Sequence, residues 1–426
     1  MSWPRLFIGW RSRGSFPQII TRNNENKMTK HKIKFLPHKK KIKVPDGANL
    51  IHAAMDAGVH VNASCGGEGL CGQCRVIVEK GIVEAGISER LSQEDIDKGY
   101  RLACLSQVKS DLIVRIPVES EVDVTVLNRF SSPRRTARIQ QLNLEDLKSR
   151  GLFIPPVEKR YLELPAPSAH DNHADTCRVI SQLKSQYGER RMDFWLPVIR
   201  KVPGILRQSD FKVTVTLARP VVDGGKTHII NIEPGDTTGR NFAVAIDIGT
   251  TTVYGQLINL ITGEILAEYG DFNGQISYGE DVISRIMFAE KPGGLDKLHE
   301  AVTETINKII RKIIKRSDVN RGEISSVTLA ANTTLTQVLL KVDPRYIRRS
   351  PYVPVSTLYP PVRAVDLGIK LAEHATALVY PSISSFVGGD IVAGVMGSGI
   401  YLSDRLTLYI DIGTNAEIVI GNKDWL

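Results

Sequence analysis

Four of the five cysteines of this 426-residue chain fall in one short stretch, as Cys65-x5-Cys71-x2-Cys74-x29-Cys104. This spacing limits the fold more than any other feature. The thiols meet at one point only if the loop from residue 65 to 74 wraps tightly and residue 104 returns to it from a later element. Gly66, Gly67, Gly69 and Gly72 supply such a loop, since glycine tolerates the sharp backbone that wrapping demands. An odd, clustered cysteine count argues for a metal site and against a disulfide framework. Zinc and free thiols are the alternatives. Structural zinc usually takes two tight cysteine pairs, and here only Cys71 and Cys74 form one. An iron–sulfur cluster on four thiolates is the favoured reading.

The flanking sequence suits that site. Residues 32–44 alternate around Pro37 and His38, as in a β-hairpin. NLIHAAMDAG reads as a short helix closed by Gly58, and residues 75–79 as a strand. Ser92 and Asp95 open a second helix as a capping box, and residues 111–116 form a closing strand. This order suits a β-grasp domain over residues 28–118. With CGGEGLCGQC and the later RLACL, the region resembles the 2Fe–2S ferredoxins. The five-residue first gap is that of adrenodoxin-like members. The resemblance implies a 2Fe–2S cluster held by Cys65, Cys71, Cys74 and Cys104.

The length predicts about three domains. No apolar run is long enough to span a bilayer, so no membrane segment is expected. The formal charge of +9 sits at one end. Residues 1–45 hold twelve Lys/Arg against Glu25, and the remainder is slightly acidic. The body is therefore not read as a nucleic-acid binder. Residues 1–27 lack the apolar core of a secretory signal. They fit an Arg-rich transit peptide in part, but are better read as a non-native or disordered extension ahead of Met28, with a cytoplasmic location. Residues 119–240 read as a linker and a small α+β middle domain. SQLKSQYGER there is helical and FKVTVTLARP a strand. His173 and Cys177 lie in a polar stretch and are expected to be surface residues, a local metal or redox role being the alternative.

Residues 241–426 carry an internal repeat. Ile246-Asp247-Ile248-Gly249-Thr250 recurs as Ile410-Asp411-Ile412-Gly413-Thr414, each time between two strand-like runs. A buried strand can deliver an Asp to a pocket floor, and the Gly-Thr turn can offer N–H and hydroxyl groups to phosphate. Two such hairpins facing each other would hold ATP and magnesium, which takes carboxylates directly or through retained water. The alternative is two turns that merely need glycine. The pattern resembles the phosphate hairpins of the acetate and sugar kinase/Hsc70/actin superfamily. That resemblance implies that Asp247 and Asp411 position magnesium or the attacking water. Gly249, Thr250, Thr251, Gly413, Thr414 and Asn415 would cradle phosphates. Gly388, Gly389 and Asp390 would lie near the connecting segment, with a tight strand–helix turn as the plain alternative. Asn332, Thr333 and Thr334 would reach substrate or cap a helix. Asn273, Gln275 and Asp281 would sit past the early strands, or belong to a surface loop and helix cap.

The cysteine motif, NGQISYGEDVISRI, AANTT, PSISSFVGGD and DIGTNAEIV together resemble the reductive activators of corrinoid proteins, over residues 30–426. The resemblance implies ATP-dependent one-electron reduction of cob(II)alamin to cob(I)alamin on the corrinoid protein of a methyltransferase system, fed by an upstream low-potential donor. A homodimer is an open expectation. The need for ATP follows from potentials. Plant-type clusters lie near about −400 mV, and cob(I) is a stronger reductant. Each ~59 mV uphill costs a factor of ten for one electron. An actin-like (ribonuclease H-like) ATPase domain is expected at 241–426, incomplete because such folds continue past the second hairpin. Ala416 stands where the family pattern implies glycine. The rival readings are an electron-transfer protein without ATP coupling, an actin-superfamily small-molecule kinase with a redox domain, and a nucleotide-binding scaffold.

Overall fold

The computed structural model describes residues 29–59, 61–62, 69, 71–117, 120, 144–222, 224–413 and 416–426. The expected extension at 1–27, the expected ligand Cys65, Gly66 and Gly67, and residues Thr414 and Asn415 lie outside the described residues.

The apolar side chains gather in separate cores, each under its own sheet. The first core belongs to β1 (Lys30–Leu36), β2 (Lys40–Pro45), α1 (Leu50–Asp56), β3 (Arg75–Lys80), β4 (Val83–Ala85), α2 (Gln93–Asp97), β5 (Tyr100–Leu102), β6 (Ser106–Val108) and β7 (Leu112–Arg115). Five of the strands form a sheet in the order β2-β1-β7-β3-β5, with β1 parallel to β7, as a β-grasp fold requires. α1 starts where Asn49 Oδ1 accepts from the Ile51 amide at 3.0 Å. It buries Leu50, Ile51, Ala53 and Ala54 in the same core as Ile33, Phe35 and Val114. The Ser92/Asp95 capping box is present. Strands β4, β5 and β6 have three residues each, too short for alternation to reveal in the sequence.

The next unit follows α3 (Leu144–Ser149). It comprises β8 (Val157–Glu163), α4 (Asp175–Tyr187), β9 (Met192–Phe194), α5 (Leu196–Gln208), β10 (Lys212–Ala218) and β11 (Thr227–Pro234). Its sheet runs β8-β10-β11-β9. Leu183 of α4 and Val202 and Leu206 of α5 share a core with Leu162, Val213 and Val215. His173 pairs with Asp171 at 2.7 Å, and Cys177 is exposed on α4.

The remaining elements are β12 (Phe242–Ile248), β13 (Thr252–Asn259), β14 (Ile265–Phe272), α6 (Val282–Ala289), α7 (Gly294–Lys315), β15 (Ile324–Ala331), α8 (Thr333–Leu339), β16 (Val362–Arg363), β17 (Thr376–Val379), α9 (Gly389–Ser398), β18 (Thr407–Ile412) and β19 (Ala416–Gly421). The sheet order is β14-β13-β12-β15-β17-β16. β12 to β14 form an antiparallel meander, and β15 and β17 run parallel to β12. This is the ribonuclease H-like arrangement that the paired hairpin motifs imply. α7 brings Val302, Ile306, Ile309, Ile310 and Ile313 into the core of this sheet, each worth about 1.5–3 kcal/mol of burial. β18 and β19 form a separate two-stranded hairpin. Its cross-strand pairs Leu408↔Ile420 and Ile410↔Ile418 are exposed, while Tyr409, Asp411 and Glu417 lie on the other, half-buried face.

Candidate functional site

Of the expected ligands among the described residues, Cys74 and Cys104 are buried and Cys71 is half-buried. Their positions follow from pairing: β3 begins just after Cys74, and Cys104 sits in the turn between β5 and β6. The Ala103 amide donates to the Cys74 carbonyl at 2.9 Å, which locks the two segments together. The sulfurs of Cys74 and Cys104 then lie 3.2 Å apart. The hydrogen bond between them lowers the Cys74 thiol to about 7, against the opposing effect of burial. The Gln73 amide approaches Cys71 Sγ at 3.5 Å, and Asn49 Nδ2 donates to the Cys104 carbonyl at 2.7 Å. Gly69 has φ of +74°, the left-handed region that favours glycine, and it packs against Leu105, whose Cδ1 would stand 2.6 Å from a Cβ there. Adjacent soft donors, an N–H aimed at sulfur and a tight apolar wall fit an iron–sulfur cluster. Cys74 and Cys104 are close enough to share one iron.

The first DIGT copy forms the β12–β13 hairpin. Asp247 is near the end of β12, and residues 249–251 make the turn. A Cβ on Gly249 would meet the Thr252 carbonyl oxygen at 2.7 Å, so the tight turn excludes a side chain there. Its carbonyls are held from behind. Asn273 Nδ2 donates to Gly249 O at 2.9 Å, the Asn273 amide to Thr251 O at 2.9 Å, and an Arg285 guanidinium nitrogen to Thr250 O at 2.5 Å. Arg285 also donates to Gly279 O at 2.9 Å and to Gln275 Oε1 at 3.2 Å. Asn273, Gln275 and Arg285 are each 0 % exposed. Burial lowers the guanidinium to about 9, with Asp281 opposing, so Arg285 stays charged at neutral pH. The turn is thus braced through three hydrogen bonds to its carbonyls. The surface-loop alternative for Asn273 and Gln275 does not hold, whereas Asp281 does cap α6.

The second copy, β18–β19, brings Asp411 toward the same place. Tyr409, two residues earlier and on the same face, donates to Asp411 Oδ2 at 3.1 Å. α9 lies against it: a Cβ on Gly394 would stand 1.9 Å from Tyr409 Oη. Gly388 caps α9, Gly389 begins it and Asp390 lies in its first turn. A Cβ on Gly388 would collide with Asn332 Cα at 2.4 Å, so that glycine serves close packing of the strand–helix turn. Asn332 caps α8 by accepting from the Leu335 amide, and Thr333 Oγ1 donates to Ser384 O at 2.6 Å. Asn332 is spent on its helix cap, Thr333 on a tie to the distant Ser384, and Thr334 is buried. Gly413 follows β18 and is exposed.

Electrostatics shows what the structure brings together. Burial pushes the Tyr409 phenol well up, and the charges of Asp411, Asp390 and Asp247 push it further. Burial raises Asp390, and Asp411 adds to that. Burial also raises Glu417, helped by Asp390 and Asp411. Carboxylates from both hairpins and from α9 therefore share one region. Among the described residues no three His, Cys, Asp or Glu side chains come close enough to hold a metal ion by themselves. Sequence reasoning missed Arg285 and Tyr409. A lone charge among the apolar residues of VISRIMFA and the period-two match to Asp411 were the signals for them.

No helix among the described residues is long and apolar enough to cross a membrane. Family profiles match in succession: a 2Fe–2S iron–sulfur cluster binding domain at residues 33–109, the RACo linker region at 146–239 and the RACo middle region at 242–403. The chain is 32 % identical over 206 residues to the corrinoid activation enzyme RamQ of Eubacterium limosum, covering 48 % of this chain and 34 % of RamQ. It is 30 % identical over 135 residues to a Na(+)-translocating NADH-quinone reductase protein of Neisseria meningitidis, covering 30 % of this chain and 32 % of that protein. A solved reductive activator for corrinoid, iron–sulfur protein superposes with a TM-score of 0.61 at 36 % identity, covering 93 % of this chain and 62 % of that one. The chain thus spans about a third of the length of the curated relatives and less than two thirds of the solved one. With a 2Fe–2S domain followed by the RACo linker and middle regions, the chain belongs to the corrinoid reductive activators.

Proposed function

We propose that this chain supplies the electron-donating part and a nucleotide-binding part of an ATP-dependent activator. It would reduce cob(II)alamin to cob(I)alamin on the corrinoid protein of a methyltransferase system, in the cytoplasm, fed by a low-potential donor. One observation carries the reading: a buried thiol pair, Cys74 and Cys104, occurs in the same chain as two like hairpins whose aspartates share one electrostatic region.

In this reading residues 28–118 hold the cluster, 119–240 connect, and 241–426 bind nucleotide. Cys65, Cys71, Cys74 and Cys104 would be the ligands. When bound, the cluster supplies one electron at a time. Leu105 packs against Gly69, and Asn49 fixes the Cys104 backbone. In the nucleotide part, Asp247 and Asp411 would position magnesium, Asp390 adding charge beside them. Burial and then the neighbouring carboxylates raise Asp390 and Glu417, an environment in which a cation would be favoured. Magnesium keeps several of its waters, so it needs few direct carboxylate ligands. Gly249, Thr250, Thr251, Gly413, Thr414 and Asn415 would contact phosphates. Held by these cysteines, the cluster would supply the single electron that cob(II) takes up, and binding or hydrolysis of ATP would bias that uphill transfer.

The test follows cob(I) formation by visible spectroscopy on a corrinoid protein, with anaerobic cluster-loaded protein, a reductant, and Mg-ATP present or absent. ATP-dependent cob(I) is the expected result. Reduction indifferent to ATP would instead identify a ferredoxin-like carrier.

A further inference from the structure

The segment that holds the phosphate turn also touches the cluster domain. Asn273 and Arg285 bind the turn carbonyls, and between them runs the 3-10 turn Gly274–Tyr278. The Tyr278 ring stands 5.5 Å from the His52 ring, tilted by 47°, and 4.8 Å from Phe288. His52 is on α1, the helix whose cap residue Asn49 donates to the Cys104 carbonyl and whose Ile51 amide donates to Ala103 O at 3.2 Å. Opposite charges flank the aromatic pair. Burial and then Lys297 lower the His52 imidazole, with Asp56 opposing. Burial, Asp56 and Glu300 raise the Tyr278 phenol.

We propose that Tyr278 is the anchor on which the cluster domain docks through α1, and that this docking responds to the occupancy of the turn at 249–251. The second half rests on the nucleotide reading of that turn. The physical basis is shared structure. The buried Asn273, Gln275 and Arg285 tie the turn and the Tyr278 seat into one polar network, and close-packed elements do not deform independently. Docked and undocked α1 are the two states that turn occupancy biases. A cluster's potential and optical activity depend on solvent exposure and hydrogen bonds around its ligands, so the two states differ at Cys104.

The test uses the cluster-loaded chain and its Tyr278→Ala variant, with two readouts. Hydrogen exchange reports docking without nucleotide. Tyr278→Ala is expected to raise exchange across α1 and leave the β1–β7 pairing protected; unchanged α1 exchange overturns the docking. Visible circular dichroism of the cluster, with and without Mg-ATP, reports the coupling, alongside calorimetric titration of Mg-ATP. The native chain is expected to change its cluster spectrum on binding, and Tyr278→Ala to bind Mg-ATP still, with an affinity shifted by the lost coupling and without the spectral change. Binding with no spectral response in the native chain overturns the coupling and leaves the nucleotide site standing. No binding at all defeats the nucleotide reading and the coupling with it, while the exchange result still judges the docking.

Discussion

Arg285 is a fully buried charge whose hydrogen bonds among the described residues go to the oxygens of Thr250, Gly279 and Gln275, none of them a carboxylate. Arg285→Met would leave those acceptors without their donor. The loss should be about 2–4 kcal/mol, the range for breaking a buried charge-assisted network. Chemical denaturation measures it, and a change under about 0.5 kcal/mol, the scale of an ordinary surface substitution, would sink the account. The cysteines, Asp247 and Asp411 could be singled out in the sequence because the chemistry expected of them needs a fixed residue type at a fixed spacing. Arg285 was not, since its role arises from three oxygens that separate segments bring to it. Gly388 and Gly394 show the same limit, because their necessity lies in Asn332 and Tyr409 across a gap that no local pattern encodes.

At the scale of elements, α9 and the β18–β19 hairpin meet through Gly394 and Tyr409. Gly394→Val should push the hairpin away from α9, and Asp411 with it. Mg-ATP affinity is then expected to fall by at least about tenfold, some 1.4 kcal/mol, with iron and sulfide content unchanged. Equal affinity for the variant would show that the hairpin position does not matter to the nucleotide. The long α7 was readable from apolar residues at three- and four-residue spacing, and the meander β12–β14 began where FAVAIDIGTTTVYG predicted strand, turn, strand. Strands of two or three residues, such as β9 and β16, carry too few alternations to announce themselves. Tertiary pairing alone defines them.

Across the whole molecule, His374 marks where the second and third units meet. Burial lowers its imidazole to about 4, and Lys201 of α5 and Lys159 of β8 add to the effect. Lys159 is itself tied to Glu233 at 2.7 Å, so it cannot easily turn away. The folded value lies below the ordinary 6.5, so the unfolded chain binds the proton more readily. This contribution is complete above pH 6.5 and is lost as pH falls toward 4, by at most about 1.4 kcal/mol per pH unit. Denaturation midpoints measured between pH 7 and 4 should fall more steeply in the native chain than in His374→Phe. Parallel slopes would remove His374 from the acid response.

The sequence by itself determined the chemistry on offer: four thiols at ferredoxin spacing, two DIGT hairpins, and three stretches of differing texture. Such features are local, so composition and spacing carry them. Only the tertiary structure decided that Cys74 and Cys104 stand 3.2 Å apart, that Asn273 and Arg285 brace the first hairpin, and that the second hairpin's aspartate enters the same field as the first. The reason is physical. Distances between segments far apart in the chain are set by which apolar faces bury together, and burial depends on the whole packed arrangement, not on any one stretch of residues.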